Sequence, residues 1–295
     1  MKTPDAASEA ARPEAAAPAD ADALLSVRDL RVSFPGKGRR APETEVLKGV
    51  GLSVRPGETL GLVGESGSGK STIGRAVLGL VPVRSGTVTF DGERVEHATA
   101  RRRRALSRDL QVIFQDPYTS LNPSRTIGDT LAEPLIGQGA AAREARGRVA
   151  GLLDRVQLPS DAADRLPREF SGGQRQRVAI ARALALRPRL VICDEPVSAL
   201  DLTTQRTVLD LLLEIQEETG VAYLFVSHDL AVVRFMSHRV SVIHRGEIVE
   251  TGDAATVTSA PRHAYTRTLL LASPVADVAG QRSRRAAAEA AARTG

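Results

Sequence analysis

Three glycines within six residues, followed by a lysine and a serine, constrain the fold of this chain more than any other feature. The loop at residues 64–72 reads GESGSGKST and stands between a short apolar run, Thr59–Val63, and a segment with helical character at 72–80. Glycines let a backbone bend so that successive N–H groups converge on one anion at the start of a helix. The loop therefore predicts a strand, a phosphate-binding turn and a helix, in that order.

Lysine and serine at the end of this loop have separate expected tasks. Lys70 would neutralise charge on the β- and γ-phosphates of a nucleotide, and Ser71 would bind Mg²⁺. The alternative is a glycine-rich turn without a ligand, but that interpretation leaves the Lys-Ser pair unexplained. The candidate nucleotide-binding residues are Gly64, Glu65, Ser66, Gly67, Ser68, Gly69, Lys70, Ser71 and Thr72.

Two adjacent acids end a second apolar run. Leu190, Val191, Ile192 and Cys193 are followed by Asp194 and Glu195. An acid at a strand end can simply cap a helix or satisfy a polar group at a sheet edge. Beside a phosphate-binding loop, however, Asp194 is well placed to bind the metal, and Glu195 to polarise the attacking water.

The composition limits the class of protein and its partners. One cysteine, Cys193, cannot form an intrachain disulfide, which fits a reducing compartment. No apolar run approaches the roughly 18 residues that span a bilayer, so we expect a soluble protein that reaches a membrane only through a partner. The formal net charge of +5 favours anionic partners without choosing among them.

The first 23 residues are expected to be a disordered tail. They hold ten alanines, five acidic and two basic residues, and they lack both aromatic residues and the apolar stretch of a signal peptide. The last 20 residues, 276–295, form a similar but basic tail. We assign this second tail no function.

Strand-like and helical segments alternate between the tails. β-rich runs are predicted at 24–34, 46–54, 59–63, 88–90, 110–114, 190–193, 222–226 and 240–244. Helices are predicted at 72–80, across most of 124–187 and at 204–219. This alternation favours an α/β fold with a parallel sheet covered on both faces. No internal repeat is found, so one copy of the unit is predicted.

Several motifs, in a fixed order, resemble those of ATP-binding-cassette (ABC) ATPases. Ser171-Gly172-Gly173-Gln174 resembles the signature motif, although Phe170 precedes it where leucine is usual. Gln115 resembles the glutamine of the Q-loop, the segment at 198–201 resembles the D-loop, and His228 resembles the switch histidine. The resemblance covers residues 24–275.

The resemblance implies the architecture of the chain. It implies a P-loop NTPase of the ABC cassette type, with a RecA-like core, an N-terminal antiparallel β-subdomain and an inserted α-helical subdomain. The expected boundaries are 1–23 for the tail, 24–259 for the ATP-binding domain with its helical subdomain at about 117–174, and 260–295 for a C-terminal extension. ATP and Mg²⁺ are the implied ligands, and ATP hydrolysis is the implied activity.

The resemblance also implies roles for single residues. Glu195, His228 and Gln115 would be catalytic, and Ser71, Gln115 and Asp194 would bind the metal. Ser171, Gly172, Gly173 and Gln174 would meet the γ-phosphate of ATP held by a second cassette, with Asp201 in the D-loop beside them. Phe34 is the candidate for stacking on adenine. A lone histidine is usually a surface or core residue, and the other four histidines are interpreted in that way.

A finer resemblance is to ATPase subunits of bacterial oligopeptide and dipeptide importers, and to the second of their two paired ATPases. It rests on residues 114–123, 170–177, 194–201 and 261–266, with Ala264 where proline is usual. The implied partners are two transmembrane permease subunits, a homologous ATPase subunit in a heterodimer or homodimer, and an extracellular solute-binding protein. The implied location is peripheral, on the cytoplasmic face of the cell membrane. An iron–sulfur cluster, which some relatives bind through several cysteines, is excluded by the single cysteine.

Other functions remain open at this point. Importers of similar type carry nickel chelates, some sugars or other small solutes. A non-transport ABC ATPase that acts on nucleic acid would use the positive charge, but such proteins carry coiled coils, zinc modules or two cassettes, so no nucleic acid partner is expected. An exporter is disfavoured by residues 114–123 and 261–266. The arginine run at 101–104 is interpreted as a solvated surface.

Overall fold

Two β-sheets with helices around them form the protein in a computed structural model, which describes residues 22–36, 38, 42–116 and 120–272. The predicted tails fall almost entirely outside these ranges, as do Pro117, Tyr118 and Thr119 of the predicted Q-loop stretch.

The smaller sheet is antiparallel and has four strands. These are β1 (Leu25–Phe34), β2 (Thr44–Val54), β4 (Ser85–Phe90) and β5 (Glu93–Arg94), in the spatial order β2-β1-β4-β5. Alternate side chains of β1 are buried, as expected for a sheet with one face on the core. This confirms the predicted N-terminal antiparallel β-subdomain.

The larger sheet has six strands and carries the site described below. They are β3 (Thr59–Val63), β6 (Leu110–Ile113), β7 (Leu190–Asp194), β8 (Ala222–Ser227), β9 (Arg239–His244) and β10 (Glu247–Asp253). The spatial order is β10-β9-β3-β8-β7-β6, and all neighbours are parallel except β10, which pairs antiparallel with β9. The predicted parallel sheet is confirmed for β3, β6, β7, β8 and β9. Strand β10 was not predicted, and it is antiparallel because a two-residue turn folds it directly back on β9.

Nine α-helices occur in the described residues. They are α1 (Lys70–Val77), α2 (Ala100–Leu106), α3 (Ile127–Gly137), α4 (Ala142–Arg155), α5 (Gly172–Leu184), α6 (Leu202–Thr219), α7 (Leu230–Met236), α8 (Ala254–Ser259) and α9 (Ala264–Ala272). Two 3₁₀ helices, Ser160–Asp164 and Pro167–Glu169, precede α5. Helix α7 was not predicted. It starts where the Asp229 carboxylate accepts hydrogen bonds from the N–H groups of Ala231 and Val232.

The larger sheet separates two apolar cores. On β8, the side chains of Tyr223 and Phe225 pack into the core built with α3 to α7, whereas those of Leu224 and Val226 pack towards β1, β2 and α1. All six residues of β8 are buried, as expected for a central strand covered on both faces. The parallel part of the sheet is thereby covered on both faces, as predicted.

The arginine run at 101–104 lies in α2, and two of its side chains donate hydrogen bonds to backbone carbonyl oxygens. The Arg103 guanidinium donates hydrogen bonds to the carbonyl oxygens of Leu78 (3.0 Å) and Glu96 (3.3 Å). Arg104 donates to the carbonyl oxygen of Gly137 at 2.6 Å. Arg101, Arg102 and Arg104 are exposed, as expected for a solvated surface, whereas the half-buried Arg103 departs from it. Through Arg103 and Arg104 the run also joins the end of α1 to the end of α3.

Candidate nucleotide-binding site

Four neighbouring parallel strands end at the same edge of the larger sheet, and the predicted site residues follow them. Gly64 follows β3, His228 follows β8, Asp194 and Glu195 end and follow β7, and Gln115 lies two residues after β6. Such an edge is where open α/β sheets bind ligands. A cavity of about 800 Å³ lies here. It is lined by Val46, Glu65, Ser66, Gly67, Gly69, Lys70, Ser71, Thr72, Gln115, Glu195, His228, Asp229, Leu269 and Ala272.

The glycine loop adopts a conformation that other residues would resist. Gly69 has a φ of 110°, in the left-handed region, and a Cβ atom placed on it would lie 2.7 Å from a methyl group of Leu47. A Cβ atom on Gly64 would lie 2.2 Å from the carbonyl oxygen of Ile243. The loop backbone therefore packs directly against β2 and β9, and a side chain at Gly64 or Gly69 would collide with these strands.

The side chain of Lys70 is held inside the loop. Its Nζ donates hydrogen bonds to the carbonyl oxygens of Gly64 (2.7 Å) and Glu65 (2.9 Å), and the side chain is 4% exposed. Burial lowers the pKa of Lys70, although the carboxylates of Glu195 and Asp194 oppose this change. A cation is thus fixed at the start of α1, where a phosphate group would be bound.

Ser71 and Asp194 meet across the loop and β7. The Ser71 hydroxyl donates to Oδ1 of Asp194 at 2.8 Å. Burial raises the pKa of Asp194, and the hydrogen bond from Ser71 opposes this. No group of three or more His, Cys, Asp or Glu side chains suited to a metal occurs among the described residues. A hydroxyl and one carboxylate fit Mg²⁺, because this ion usually takes one or two carboxylates together with substrate phosphates and water.

Glu195 stands at the centre of the remaining polar groups. Its backbone N–H donates to the carbonyl oxygen of Val226 at 3.0 Å, and its φ of 49° is left-handed. Such a conformation is uncommon outside glycine and is often found at functional sites. Its Oε2 lies 3.0 Å from Nδ1 of His228 and accepts a 3.4 Å hydrogen bond from Nε2 of Gln115. The structure therefore brings these three predicted catalytic residues together.

The predicted signature residues lie outside this cavity. Ser171 caps α5 in a reciprocal pair: its hydroxyl accepts from the Gln174 N–H at 3.3 Å, and the Gln174 side chain accepts from the Ser171 N–H at 2.9 Å. Next to them, Asp201 caps α6 through the N–H and hydroxyl of Thr204. The exposed side chains of Ser171 and Asp201 do not line the cavity of their own chain. Their roles remain predictions.

Phe34 is also not among the residues that line the cavity. Its half-buried side chain packs with the core of the antiparallel sheet. Its role in stacking stays a prediction.

Sequence reasoning missed several residues that line the cavity or support it. Val46, Asp229, Leu269 and Ala272 line it, and the hydroxyl of Tyr265 contacts the glycine loop. Asp229 could have been found as a helix cap after a predicted strand. The spacing of 265, 269 and 272 was a weaker signal, because it shows one helix face without showing what that face meets.

The two-sheet fold and the loop facing strand-end carboxylates define an ATP-binding cassette, and residues 47–198 match the family model described as ABC transporter. The chain therefore belongs to the ABC transporter family. The predicted family and fold class are confirmed.

Two curated relatives are similar to most of this chain. The glutathione import ATP-binding protein GsiA of Salmonella paratyphi A is 50% identical over 274 residues, which cover 90% of this chain and 44% of GsiA. GsiA of Shigella flexneri is 50% identical over 271 residues with the same coverage. The chain thus spans less than half the length of the curated relatives it matches.

Solved structures share the fold. The ATP-binding cassette MJ0796, a dimer in a post-hydrolysis state bound to ADP and Pi, superimposes with a TM-score of 0.70 at 30% identity, covering 78% of this chain and 99% of MJ0796. CbiO1 of Clostridium perfringens, part of the ABC transporter complex CbiONQ, gives a TM-score of 0.71 at 27% identity, with 81% and 92% covered. In the described part of this chain, no helix has the length and apolarity needed to cross a membrane.

Proposed function

We propose that the chain is the ATP-hydrolysing subunit of a bacterial importer of the peptide type. The observation that carries this proposal is the meeting of Lys70, Glu195, His228 and Gln115 around one cavity. A fixed cation, a carboxylate and two polar side chains around a phosphate loop are the groups that ATP hydrolysis needs.

Binding would depend on the loop and on α1. Backbone N–H groups at the helix start and the Lys70 ammonium would hold the β- and γ-phosphates. Ser71, Asp194 and Gln115 would hold Mg²⁺, which draws negative charge from the phosphate oxygens when it is bound. Because burial already disfavours the free Asp194 carboxylate, a cation at this position would relieve an existing cost.

Hydrolysis would use the carboxylate of Glu195 as general base. The base takes a proton from a water molecule as the water oxygen attacks the γ-phosphorus, and the bond from that phosphorus to the bridging oxygen breaks. ADP and phosphate are the products. His228 and Gln115, both within hydrogen-bond range of Oε2, would orient the carboxylate and the water.

A second cassette would complete the site. Ser171 and the N–H groups at the start of α5 present a helix N-terminus on an exposed surface, which suits a γ-phosphate held by the partner. Two ATP molecules between head-to-tail cassettes would hold the pair together, and hydrolysis would release it. The dimeric, ADP- and Pi-bound state of MJ0796 supports this proposal.

Import is the proposed use of this cycle. GsiA is a glutathione import ATP-binding protein, and glutathione is a small peptide, so this similarity supports an importer of small peptides. Two permease subunits and an external binding protein are the partners proposed with it. We assign the permease contact to the helical region 117–170, with Gln115 as its hinge; Ile136 in this region is 44% exposed. The ATPase would then lie on the cytoplasmic face of the membrane.

Two measurements test the proposal. Release of phosphate from Mg-ATP by the purified full chain, absent in a Glu195→Gln variant, is expected, and equal rates in both proteins would contradict it. Co-purification with permease subunits is expected for an importer. Salt-sensitive binding to nucleic acid without such partners would favour the alternative ABC function.

A further inference from the structure

We propose that helix α9 is part of the nucleotide site: Tyr265 positions the glycine loop, and Leu269 with Ala272 forms an apolar wall for the nucleoside. The inference rests on the proposed ATP binding and assigns the C-terminal segment a role within it. Its residues lie about 200 positions from the loop in sequence and contact it directly.

Tyr265 joins α9 to the glycine loop. Its hydroxyl oxygen accepts a hydrogen bond from the backbone N–H of Glu65 at 3.1 Å. The ring stacks on His244 at the end of β9, with a centroid distance of 3.9 Å and an angle of 20°. Burial raises the pKa of Tyr265, so the hydroxyl is neutral at physiological pH. One side chain thus links the loop, the sheet and the helix.

The start of α9 is fixed by hydrogen bonds that do not involve the loop. The Glu250 carboxylate on β10 accepts from the N–H groups of Arg262 (2.7 Å) and His263 (3.2 Å). Nδ1 of His263 accepts from the N–H of Tyr265 at 3.2 Å. The backbone at Tyr265 is therefore fixed by contacts on the side away from the loop, and its hydroxyl can in turn position the backbone at Glu65.

The face of α9 that begins at Tyr265 continues into the cavity. Residues 265, 269 and 272 follow the spacing i, i+4, i+7, which places them on one side of a helix. At 1.5 Å per residue they extend over about 10 Å. Leu269 and Ala272 line the cavity, as Val46 does. A nucleotide anchored by its phosphates at Lys70 would extend its nucleoside along this wall.

The two proposed roles of α9, positioning the loop and contacting the nucleoside, can be tested separately with two ligands. ATP and inorganic tripolyphosphate share the phosphate chain, but only ATP carries a base and ribose. A residue that positions the loop should affect binding of both ligands. A residue of the nucleoside wall should affect ATP alone.

The first test is Tyr265→Phe in the full chain, with Tyr223→Phe as the matched control. The control removes another tyrosine hydroxyl, which donates to the Leu212 carbonyl oxygen at 3.0 Å far from the loop. We expect Tyr265→Phe to weaken binding of ATP and of tripolyphosphate by about three- to tenfold and to raise KM more than it lowers kcat. The control should lower thermal stability without changing either affinity. Equal affinities of Tyr265→Phe and the wild type for both ligands would contradict the proposal that Tyr265 positions the glycine loop.

The second test compares Leu269→Ala with Leu271→Ala, a half-buried leucine of the same helix that does not line the cavity. We expect Leu269→Ala to weaken ATP binding about fivefold or more and to leave tripolyphosphate binding unchanged, since only apolar contact is lost. Ala272→Gln, at an exposed wall position, should have the same selective effect if Leu269→Ala does not fold. If Leu269→Ala weakened the binding of both ligands, or of neither, the proposal that Leu269 contacts the nucleoside would be wrong. If wild-type protein bound no ATP at all, the proposed function itself would fail first.

Discussion

Nδ1 of His228 lies 3.0 Å from Oε2 of Glu195, although 33 residues separate them in sequence. The contact joins the ends of two adjacent strands, β8 and β7, and Oε1 of the same carboxylate lies 4.0 Å from the Lys70 ammonium. Glu195 thus lies between the Lys70 ammonium on one side and the His228 imidazole on the other.

Replacing Glu195 by glutamine should separate binding from hydrolysis. The amide keeps the size of the side chain but cannot accept the proton, so we expect phosphate release to fall about 100-fold or more while ATP affinity stays within a few-fold of wild type. Glu217→Gln, on the exposed face of α6, is the control and should behave as wild type. Turnover within a few-fold of wild type in Glu195→Gln would refute its role as base.

Lys70→Ala should abolish tight nucleotide binding. The variant loses a charge-assisted contact to the phosphates, and we expect ATP affinity to fall on the order of 10- to 100-fold. Lys48→Ala, which removes a lysine outside the cavity, should leave affinity unchanged. Equilibrium titration with ATP measures both variants, and an unchanged dissociation constant for Lys70→Ala would count against the loop as a phosphate site.

Gly173→Ala should destabilise the contact between the signature segment and α6. A Cβ atom at this position would lie 2.1 Å from Cγ2 of Thr204, so we expect a loss of about 1–3 kcal/mol in the free energy of unfolding. Thr204→Ser removes that methyl group but keeps the hydroxyl bonded to Asp201, so the double variant should recover most of the loss.

The control for this steric effect is Gly151→Ala in α4, where a Cβ atom would meet nothing within 4 Å. That variant should be unchanged or stabilised by up to about 1 kcal/mol, because alanine favours helix. Chemical denaturation of the wild type, Gly173→Ala, the double variant and Gly151→Ala measures the free energies of unfolding that test the prediction. A double variant as unstable as Gly173→Ala would show that the cost arises elsewhere.

Glu96→Gln should destabilise the protein in a pH-dependent manner. Burial raises the pKa of Glu96, but hydrogen bonds from its own N–H, from Arg94 and from the Val88 N–H outweigh this effect, so the net pKa is lowered. The ionised group therefore stabilises the folded state above its unfolded pKa of about 4.3, and this contribution is lost as pH falls through the lower folded value.

We expect Glu96→Gln to cost about 1–3 kcal/mol at pH 7 and much less near pH 3. Urea unfolding at both pH values measures the difference. Glu247→Gln, at an exposed position on β10, should show little cost at either pH. A constant cost for Glu96→Gln across this range would mean that its charge does not contribute.

Motifs confined to a few residues could be predicted from the sequence. The glycine loop and the acids after an apolar run predicted a strand–turn–helix unit and a carboxylate at a sheet edge, because local chemistry defines both. The family and the fold class followed from the resemblance and are confirmed. The roles of Gln115, His228 and Ser171 remain predictions, although the structure brings the first two together at Glu195.

Features that depend on distant packing could not be predicted. The contact between Tyr265 and Glu65 needs the path of the chain between them, which no local pattern gives. Arg103 and Arg104 appeared as a surface charge run because their partners are backbone carbonyl oxygens, and carbonyl groups carry no sequence signal. Strand β10 was not predicted, because none of its side chains is fully buried and its sequence therefore lacks an apolar run.

The polar groups of the site lie at or beyond the ends of four strands, β3, β8, β7 and β6, which are hydrogen-bonded side by side. A shift of any one of these strands would displace the site residues at its end. The affinity for a ligand therefore depends on the alignment of all four strands. Hydrogen–deuterium exchange should therefore slow in all four strands when nucleotide binds, including at amides far from the phosphates.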